Sequence, residues 1–201
     1  NLGAGATTLG NAAGTTRTIT VNAGNLTIGG DVGNGLIANG IVKAGNGTLT
    51  LGGANTFDGG VTINAGAVAA ANAGALGTAG VTNNATLNLV ATGVTYTGLS
   101  LATPGALSGA GTVNVTLGVG SATTSLNGDY SLFTGTWNIG VGAAAGAGKV
   151  QMNGADNAAA VINVLANGTV YLSSAANVHN ASITLNGGDT GESLGQLRLD
   201  G

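Results

Sequence analysis

Short runs in which an apolar, a polar and a second apolar residue follow one another recur along this chain. Strict alternation over three to five residues is typical of a β-strand that buries one face. We therefore predict thirteen strands, at residues 19–21, 26–28, 49–51, 61–63, 87–89, 99–101, 113–115, 137–139, 150–152, 162–164, 170–172, 183–185 and 197–199. Weaker runs lie near Leu76 and Leu126.

The spacing of these runs predicts a regular coil. From Leu49 onward most runs follow one another at a nearly constant interval, and wider gaps contain the weaker runs and the run at Val170. The pattern corresponds to one strand per roughly 12 residues, or two per roughly 25. Gly- and Asn-rich corners separate the runs, and both residue types tolerate the positive φ angles of sharp turns. No window has a sustained helical period.

Two all-β architectures fit short strands at this spacing: a sandwich or barrel, and a β-solenoid. Small aliphatic inward residues and an aromatic content of 3% favour the solenoid. Stacked coils also place like residues in columns, where Asn and Thr side chains can form ladders. We predict one β-solenoid segment over residues 1–201, a parallel β-helix of roughly eight coils. Asn1 at the start and a fresh strand pattern at 196–201 lead us to expect a fragment of a longer rod.

The composition excludes several classes of protein. The chain has 40 Gly among 201 residues, 4 basic and 7 acidic side chains, one Pro and no Cys. Gly lacks the three-residue period of collagen, and Glu and Lys are too rare for a coiled coil. No apolar run is long enough for a membrane-spanning helix. A formal net charge of −3 argues against nucleic acid as a partner, because phosphate binding needs clustered Lys and Arg.

Residues 45–80 closely resemble the passenger-associated repeat of bacterial autotransporters. The match to the family pattern rests on Gly47 to Leu51, Gly53, Asn55 to Phe57, Gly59, Gly60, Gly66 and Val68. Val61-Thr62-Ile63 departs from that pattern, since it has one residue fewer than the common spacing after the glycine pair.

The resemblance implies a right-handed β-helix on a bacterial cell surface, exported through the outer membrane and followed in the parent protein by a C-terminal translocator barrel. It also implies a role as stalk, coat or adhesin. The passengers that the segment resembles include surface-layer-like adhesins. Host-cell or matrix surface molecules are the expected partners, together with self-association along the rod. A self-assembling filament or surface-layer subunit is a second interpretation, and a polysaccharide-active β-helix enzyme is a third.

Two nucleotide- or hydrolase-like motifs occur. Residues 191–195 satisfy G-x-S-x-G, and His179 is the one histidine that a catalytic triad would use. A strand follows this motif where a nucleophile elbow needs a helix, so we expect a corner. Residues 146–150 are similar to part of a phosphate-binding loop, but Ala143 and Val150 replace its Gly and its Ser or Thr.

The acidic residues are spread at about one per coil, and we expect them to be solvated corner residues. Asp156, Asp189 and Asp200 are candidates to meet on adjacent coils near Arg198, as a carbohydrate-cleaving site would require. Asp189 and Glu192 are a candidate Ca²⁺ site, and His179 is expected at an exposed corner without metal-binding partners. We predict no catalytic, cofactor-binding or metal-binding residues, and no enzyme activity.

Ice binding is the last alternative, because flat Thr-x-Thr ranks on a solenoid can hold ordered water. Thr18/Thr20 and Thr48/Thr50 fit such ranks. The middle residue of later runs then varies through Thr62, Asn88, Ser100, Asn114, Asn138, Gln151, Asn163, Tyr171, Thr184 and Arg198. This variation argues against a regular ice-binding face. Tyr171, at an outward position, is a lone candidate platform for a glycan.

Overall fold

The computed structural model describes residues 2–10, 16–101, 105–118, 120, 122–145, 147–173, 179–187 and 196–200. Within them the chain forms twenty strands and one short 3₁₀ helix, Thr97–Leu99. The strands are β1 (Thr7–Thr8), β2 (Arg17–Thr20), β3 (Asn25–Ile28), β4 (Val32–Gly33), β5 (Ile41–Ala44), β6 (Thr48–Leu51), β7 (Val61–Ile63), β8 (Ala67–Ala70), β9 (Val81–Asn83), β10 (Thr86–Leu89), β11 (Leu107–Gly109), β12 (Thr112–Thr116), β13 (Thr123–Leu126), β14 (Leu132–Phe133), β15 (Thr136–Val141), β16 (Lys149–Met152), β17 (Val161–Val164), β18 (Thr169–Ser173), β19 (Ser182–Leu185) and β20 (Leu197–Asp200).

Every strand pairing is parallel, and pairing partners come from successive turns of the chain. The longest sheet, which we call the long sheet, contains β3, β6, β8, β10, β12, β15, β17 and β19 in this spatial order. Each coil contributes one of its eight strands, and seven turns separate the first from the last. This arrangement confirms the parallel β-solenoid of roughly eight coils, whereas the hand of the coil stays a prediction.

Two further large sheets, together with a two-stranded sheet of β1 and β4 on the first coils, complete the walls. The second sheet contains β2, β5, β7, β9, β11 and β14, and the third sheet contains β13, β16, β18 and β20. The third sheet begins where the coils lengthen. Thr48 pairs with Ala67 on the next coil, whereas the later step from Thr86 to its partner Thr112 takes up more of the chain. These longer coils have room for the strands of the third sheet.

The core is a set of columns of inward side chains, one residue per coil. In one column Leu49, Val68, Leu87, Val113, Trp137 and Ile162 follow one another in register, and all are fully buried. Burial of a Leu, Val or Ile side chain contributes about 1.5–3 kcal/mol. Burial of these side chains is therefore the main source of stability. The alternation in the sequence matters because it turns them to the inside of every coil.

Aromatic side chains meet inside the longer coils. The ring centroids of Tyr130 and Phe133 lie 5.3 Å and 5.4 Å from that of Trp137, both in edge-to-face geometry. The buried Trp137 indole N–H has no hydrogen-bond acceptor among the described residues. The Tyr130 hydroxyl accepts a hydrogen bond from Gly128 N and donates one to Leu99 O. Together these rings fill the wider interior that small aliphatics would leave empty.

Glycine is required where coils touch at their corners. Gly66, between β7 and β8, has a φ of 65°, a backbone conformation that residues other than Gly rarely adopt. A Cβ atom there would lie 2.4 Å from the Gly47 carbonyl oxygen of the preceding coil. The backbone corners thus stack directly on one another, and two of the glycines in the repeat-like segment are used for this contact.

The structure confirms most of the predicted strands and corrects one. Residues 99–101 do not form a strand, because Leu99 ends the 3₁₀ helix. Of the two weaker runs, the one near Leu126 forms β13, whereas Leu76 is buried in a turn. The strands β1, β4, β5, β8, β9, β11 and β14 were not predicted. They are very short or contain Lys, Ala, Gly or Asn, so the alternation that identifies a half-buried strand is hidden. Among the described residues, no helix has the length and hydrophobicity of a membrane span.

Candidate functional site

The outward surface of the long sheet is the most regular polar surface of the described residues. Each of its eight strands contributes at least two outward residues, and register places two from every strand in two parallel columns. One column contains Asn25, Thr48, Ala67, Thr86, Thr112, Thr136, Val161 and Ser182, and the other contains Thr27, Thr50, Ala69, Asn88, Asn114, Asn138, Asn163 and Thr184. We call these sixteen residues the long polar face.

Four consecutive carboxamides on this face form a hydrogen-bonded ladder. Asn114 Nδ2 donates to Asn88 Oδ1 at 2.9 Å, and Asn138 Nδ2 donates to Asn114 Oδ1 at 2.9 Å. Asn163 Nδ2 donates to Asn138 Oδ1 at 3.1 Å. A carboxamide has two N–H donors and two acceptor lone pairs, so each inner member keeps hydrogen-bonding capacity for an external partner. The ladder confirms the predicted Asn columns.

The long polar face carries no ionisable side chain. Thirteen of its sixteen residues are Thr, Asn or Ser, and the other three are Ala67, Ala69 and Val161. On the third sheet, by contrast, Lys149 and Arg198 lie at half-buried, outward positions. The long polar face therefore offers a partner hydrogen bonds and shape rather than charge.

The single outward column that the sequence pattern suggested is wrong. Thr62 belongs to the second sheet, Gln151, Tyr171 and Arg198 to the third, and Ser100 follows the 3₁₀ helix. The two Thr-x-Thr ranks also separate, because Thr18/Thr20 lie on the second sheet and Thr48/Thr50 on the long sheet. The middle residues of successive runs vary in type because they lie on different sheets.

Asp156 and His179 form a buried pair that sequence reasoning missed. His179 Nδ1 lies 2.9 Å from Asp156 Oδ2, and their side chains are 14% and 1% exposed. Asp156 Oδ1 also accepts hydrogen bonds from the backbone N–H groups of Asn180 and Ala181. The expectations of a solvated Asp156 and an exposed His179 were therefore wrong. The pair fastens the corner of one coil to that of the coil before it.

Among the described residues, the His179–Asp156 pair has no third polar partner on the far side of the imidazole ring. His179 Nε2 is buried and has no hydrogen-bond partner among the described residues. The G-x-S-x-G motif at 191–195, and with it Asp189 and Glu192 of the candidate Ca²⁺ site, lies outside the described residues, as does the side chain of Asp200. In the described part of the chain, no three His, Asp or Glu side chains lie together as metal ligands would.

The other described acids hold corners. Asp31 Oδ1 accepts a hydrogen bond from Ala54 N at 2.7 Å, and Asp58 Oδ1 accepts one from Asn34 Nδ2 at 2.7 Å. Asp129 Oδ1 accepts one from Ser131 N within its own corner. Asp31 and Asp58 are exposed, as predicted, and each of these two links its own corner to that of an adjacent coil.

The segment similar to a phosphate-binding loop uses its backbone for coil stacking. Gly146 lies outside the described residues, whereas Gly148 N donates to Gly118 O and Lys149 N donates to Ala122 O. Phosphate-binding loops need such N–H groups to be free for the ligand. These two donors are already used, which agrees with the sequence departures at Ala143 and Val150.

Lys43 is the least expected residue of the interior. Its side chain points inward from β5 and is fully buried, and Nζ donates to the carbonyl oxygens of Ala44, Gly45 and Ala65 at 2.8, 2.7 and 3.1 Å. Burial lowers the pKa of this amine from its ordinary value of 10.5. Lys43 lies two residues after the buried Ile41 in the same strand. This spacing is the one sequence signal that the Lys43 side chain points inward.

Tyr171 does not stand alone on the third sheet. The Arg198 guanidinium lies 4.8 Å from the centroid of the Tyr171 ring, on the adjacent coil. This cation–π contact covers part of the aromatic surface that a sugar would use. The outward position of Tyr171 is confirmed, and its surroundings make it part of a packed pair.

Comparison with known proteins gives one match. Residues 41–70 match the family described as passenger-associated-transport-repeat. The matched segment runs from the start of β5 to the end of β8, and so contains two neighbouring strands of the second sheet and two of the long sheet. Neither the curated proteins nor the solved structures contain a match for the chain.

The fold and the matched segment together define a class. The chain is a parallel β-solenoid that carries a passenger-associated-transport repeat, and this repeat suggests a passenger segment of an autotransporter. The matched repeat overlaps residues 45–70 of the segment in which the sequence resemblance was found.

Proposed function

We propose that this chain is the passenger segment of a bacterial surface-exposed autotransporter, acting as a non-catalytic stalk or coat with an adhesin role. The observation that carries the proposal is the match at residues 41–70, which coincides with stacked coils of the solenoid. In this proposal the parent protein has a C-terminal translocator, and the segment lies outside the cell.

The mechanism is structural. Parallel coils in register leave few exposed backbone groups along the walls, because each strand inside a sheet is hydrogen-bonded on both sides. A stiff rod of this kind holds binding surfaces away from the cell. The long polar face supplies many weak contacts to host-cell or matrix surface molecules, and their sum gives avidity when many copies are present.

Surface labelling of intact bacteria tests this proposal. An antibody raised against the 201-residue chain should label cells without permeabilisation, and external protease should remove the signal. Peptide mapping of the labelled outer-membrane protein should find sequence beyond Gly201 that stays with the membrane. Labelling that appears only after permeabilisation would contradict the surface location.

Adhesion needs its own experiment. Beads coated with the folded chain should bind host cells or matrix more than beads coated with the same chain after irreversible unfolding. Equal binding of the two preparations would remove the adhesin role and leave the stalk or coat.

Self-assembly into a filament or surface layer is a second candidate, favoured by the small formal net charge of −3 on the 201-residue chain. Copies of a chain with so little charge repel one another only weakly. Sedimentation of the purified chain over a range of concentrations distinguishes this candidate, because a filament-forming subunit sediments as a growing series of species.

A further inference from the structure

The long polar face is a two-dimensional lattice of hydrogen-bonding groups. Adjacent strands place outward residues about 4.8 Å apart along each column, and residues two positions apart in a strand are about 6.6 Å apart. The register is unbroken from Asn25 to Ser182 in one column and from Thr27 to Thr184 in the other. A ligand that repeats in two dimensions therefore meets a hydrogen-bonding side chain at most of its repeats along a column and along a strand.

The side chains of this lattice are held in place before any ligand arrives. The amide ladder fixes Asn88, Asn114, Asn138 and Asn163. Thr50 Oγ1 donates to Asn25 Oδ1 at 2.9 Å on the first coils. Thr side chains are stiff at χ1, so Thr86, Thr112 and Thr136 lose little further freedom on binding. Pre-organisation of this kind lowers the entropic cost of association.

The chemistry of the face matches a neutral lattice of water. Charged side chains would hold strongly oriented hydration shells, and the face has none. Thr hydroxyls and Asn carboxamides donate and accept hydrogen bonds, as ice does. Between them, Thr methyl groups restrict the orientation of first-shell water. The roughly 4.8 Å step along a column is close to the shorter repeat of hexagonal ice, whereas the roughly 6.6 Å step along a strand is somewhat shorter than the longer repeat.

A second copy of the chain fits the face less well. Strands of four residues and seven coil spacings give a surface of roughly 400 Å² per copy. Two copies would bury roughly 800 Å², which is below the roughly 1,200–2,000 Å² of specific interfaces. An ice surface has no such limit, since it is continuous and needs no matching patch.

We propose that the long polar face binds ice, with Thr86, Thr112, Thr136 and the Asn88–Asn163 ladder as its central ranks. The interruptions at Ala67, Ala69 and Val161 leave these central ranks contiguous. Ice binding lies beyond the proposed passenger function, and either can fail without the other.

Ice crystals grown in a solution of the 201-residue chain test the proposal. We expect faceted crystals and a measurable gap between melting and growth temperatures, and we expect fluorescently labelled protein to stay on the ice. Thr112→Lys places a bulky charge in the middle of the lattice and should abolish most of that gap. Thr86→Lys repeats the change one coil away.

Thr62→Lys is the matched control, because Thr62 is a half-buried outward residue in the middle of the second sheet. It should leave the ice activity unchanged, and thermal unfolding should show that all three variants fold. Absence of crystal shaping by the unmodified chain would overturn the proposal, as would equal losses in Thr112→Lys and Thr62→Lys. If ice is unaffected, dimerisation or retention on an insoluble neutral polysaccharide that Thr112→Lys abolishes would overturn it in favour of another occupant.

Discussion

At the scale of single residues, the interior of this solenoid contains polar groups that are satisfied by the backbone of their own coil and of a neighbouring coil. The Tyr96 hydroxyl accepts a hydrogen bond from Ala91 N and shares its single proton between Ala70 O and Ala91 O. Lys43 donates to three carbonyl oxygens. An unpaired buried polar group costs about 1–3 kcal/mol, so these contacts fix which coil corners meet.

Alkaline pH should destabilise the protein through two buried tyrosines. Burial raises the pKa of Tyr96 from 10.0 to about 12 and raises that of Tyr130 further. The unfolded chain then loses these protons at a lower pH than the folded chain. Their contribution is fully present below about pH 10 and is lost as the pH rises, at up to about 1.4 kcal/mol per pH unit for each Tyr.

The urea midpoint at a series of pH values measures this effect. Lys43 has the opposite sign, because its pKa is lowered by burial, but its contribution ends near its unfolded pKa of 10.5. The fall is therefore read between about pH 10.5 and pH 12. Tyr130→Phe should reduce the slope, and an unchanged slope in this variant would show that Tyr130 does not cause it.

At the scale of elements, the long sheet is joined by side chains as well as by its backbone. The amide ladder crosses β10, β12, β15 and β17 with all donors pointing in the same direction. A change in one member affects both neighbours, which is the nearest-neighbour coupling expected of a repeat protein.

Asn138→Asp should weaken the ladder in a pH-dependent way. At neutral pH the carboxylate cannot donate to Asn114 Oδ1, although it still accepts from Asn163 Nδ2. We expect a loss of about 1–3 kcal/mol in the free energy of unfolding. Below about pH 4 the protonated carboxyl group can donate again, so part of the loss should be recovered.

Urea unfolding near pH 7 and near pH 3.5 measures both effects. Asn64→Asp is the control, since it makes the same charge change at an exposed corner. Identical behaviour of the two variants would mean that the ladder contributes nothing to stability beyond charge.

At the scale of the whole molecule, the protein is held together almost entirely by uncharged groups. Only 5% of its residues are charged, and the formal net charge is −3. The core columns and the coil-to-coil backbone hydrogen bonds run through the described length of the rod.

Salt should therefore have little effect on stability. Raising NaCl from about 0.1 M to about 1 M should change the free energy of unfolding by less than about 0.5 kcal/mol, because the few surface charges contribute little. Sodium sulfate at equal ionic strength is the comparison, and it should raise the urea midpoint by strengthening apolar burial. A large loss of stability in NaCl would show that charge contacts matter more than the structure indicates.

The class of fold follows from local patterns in the sequence. Alternation at 49–51, 87–89 or 162–164 turns Leu, Val and Ile to one side of a short strand. Gly- and Asn-rich corners separate these strands at short intervals. Short strands and frequent corners together indicate stacked coils. The same local signals located the repeat at 45–80. They also predicted the Asn columns, because a coil repeat places like residues in register.

The sheet to which each strand belongs follows from how the coils stack in three dimensions. The coils differ in length, as the pairings of Thr48 with Ala67 and of Thr86 with Thr112 show, so one outward series in the sequence was distributed over three sheets. Asp156 pairs with His179 because of these differences in coil length. For the same reason the rings of Tyr130 and Phe133 both contact that of Trp137. These contacts join residues of different corners or coils, and local alternation carries no information about which residues of adjacent coils come to lie side by side.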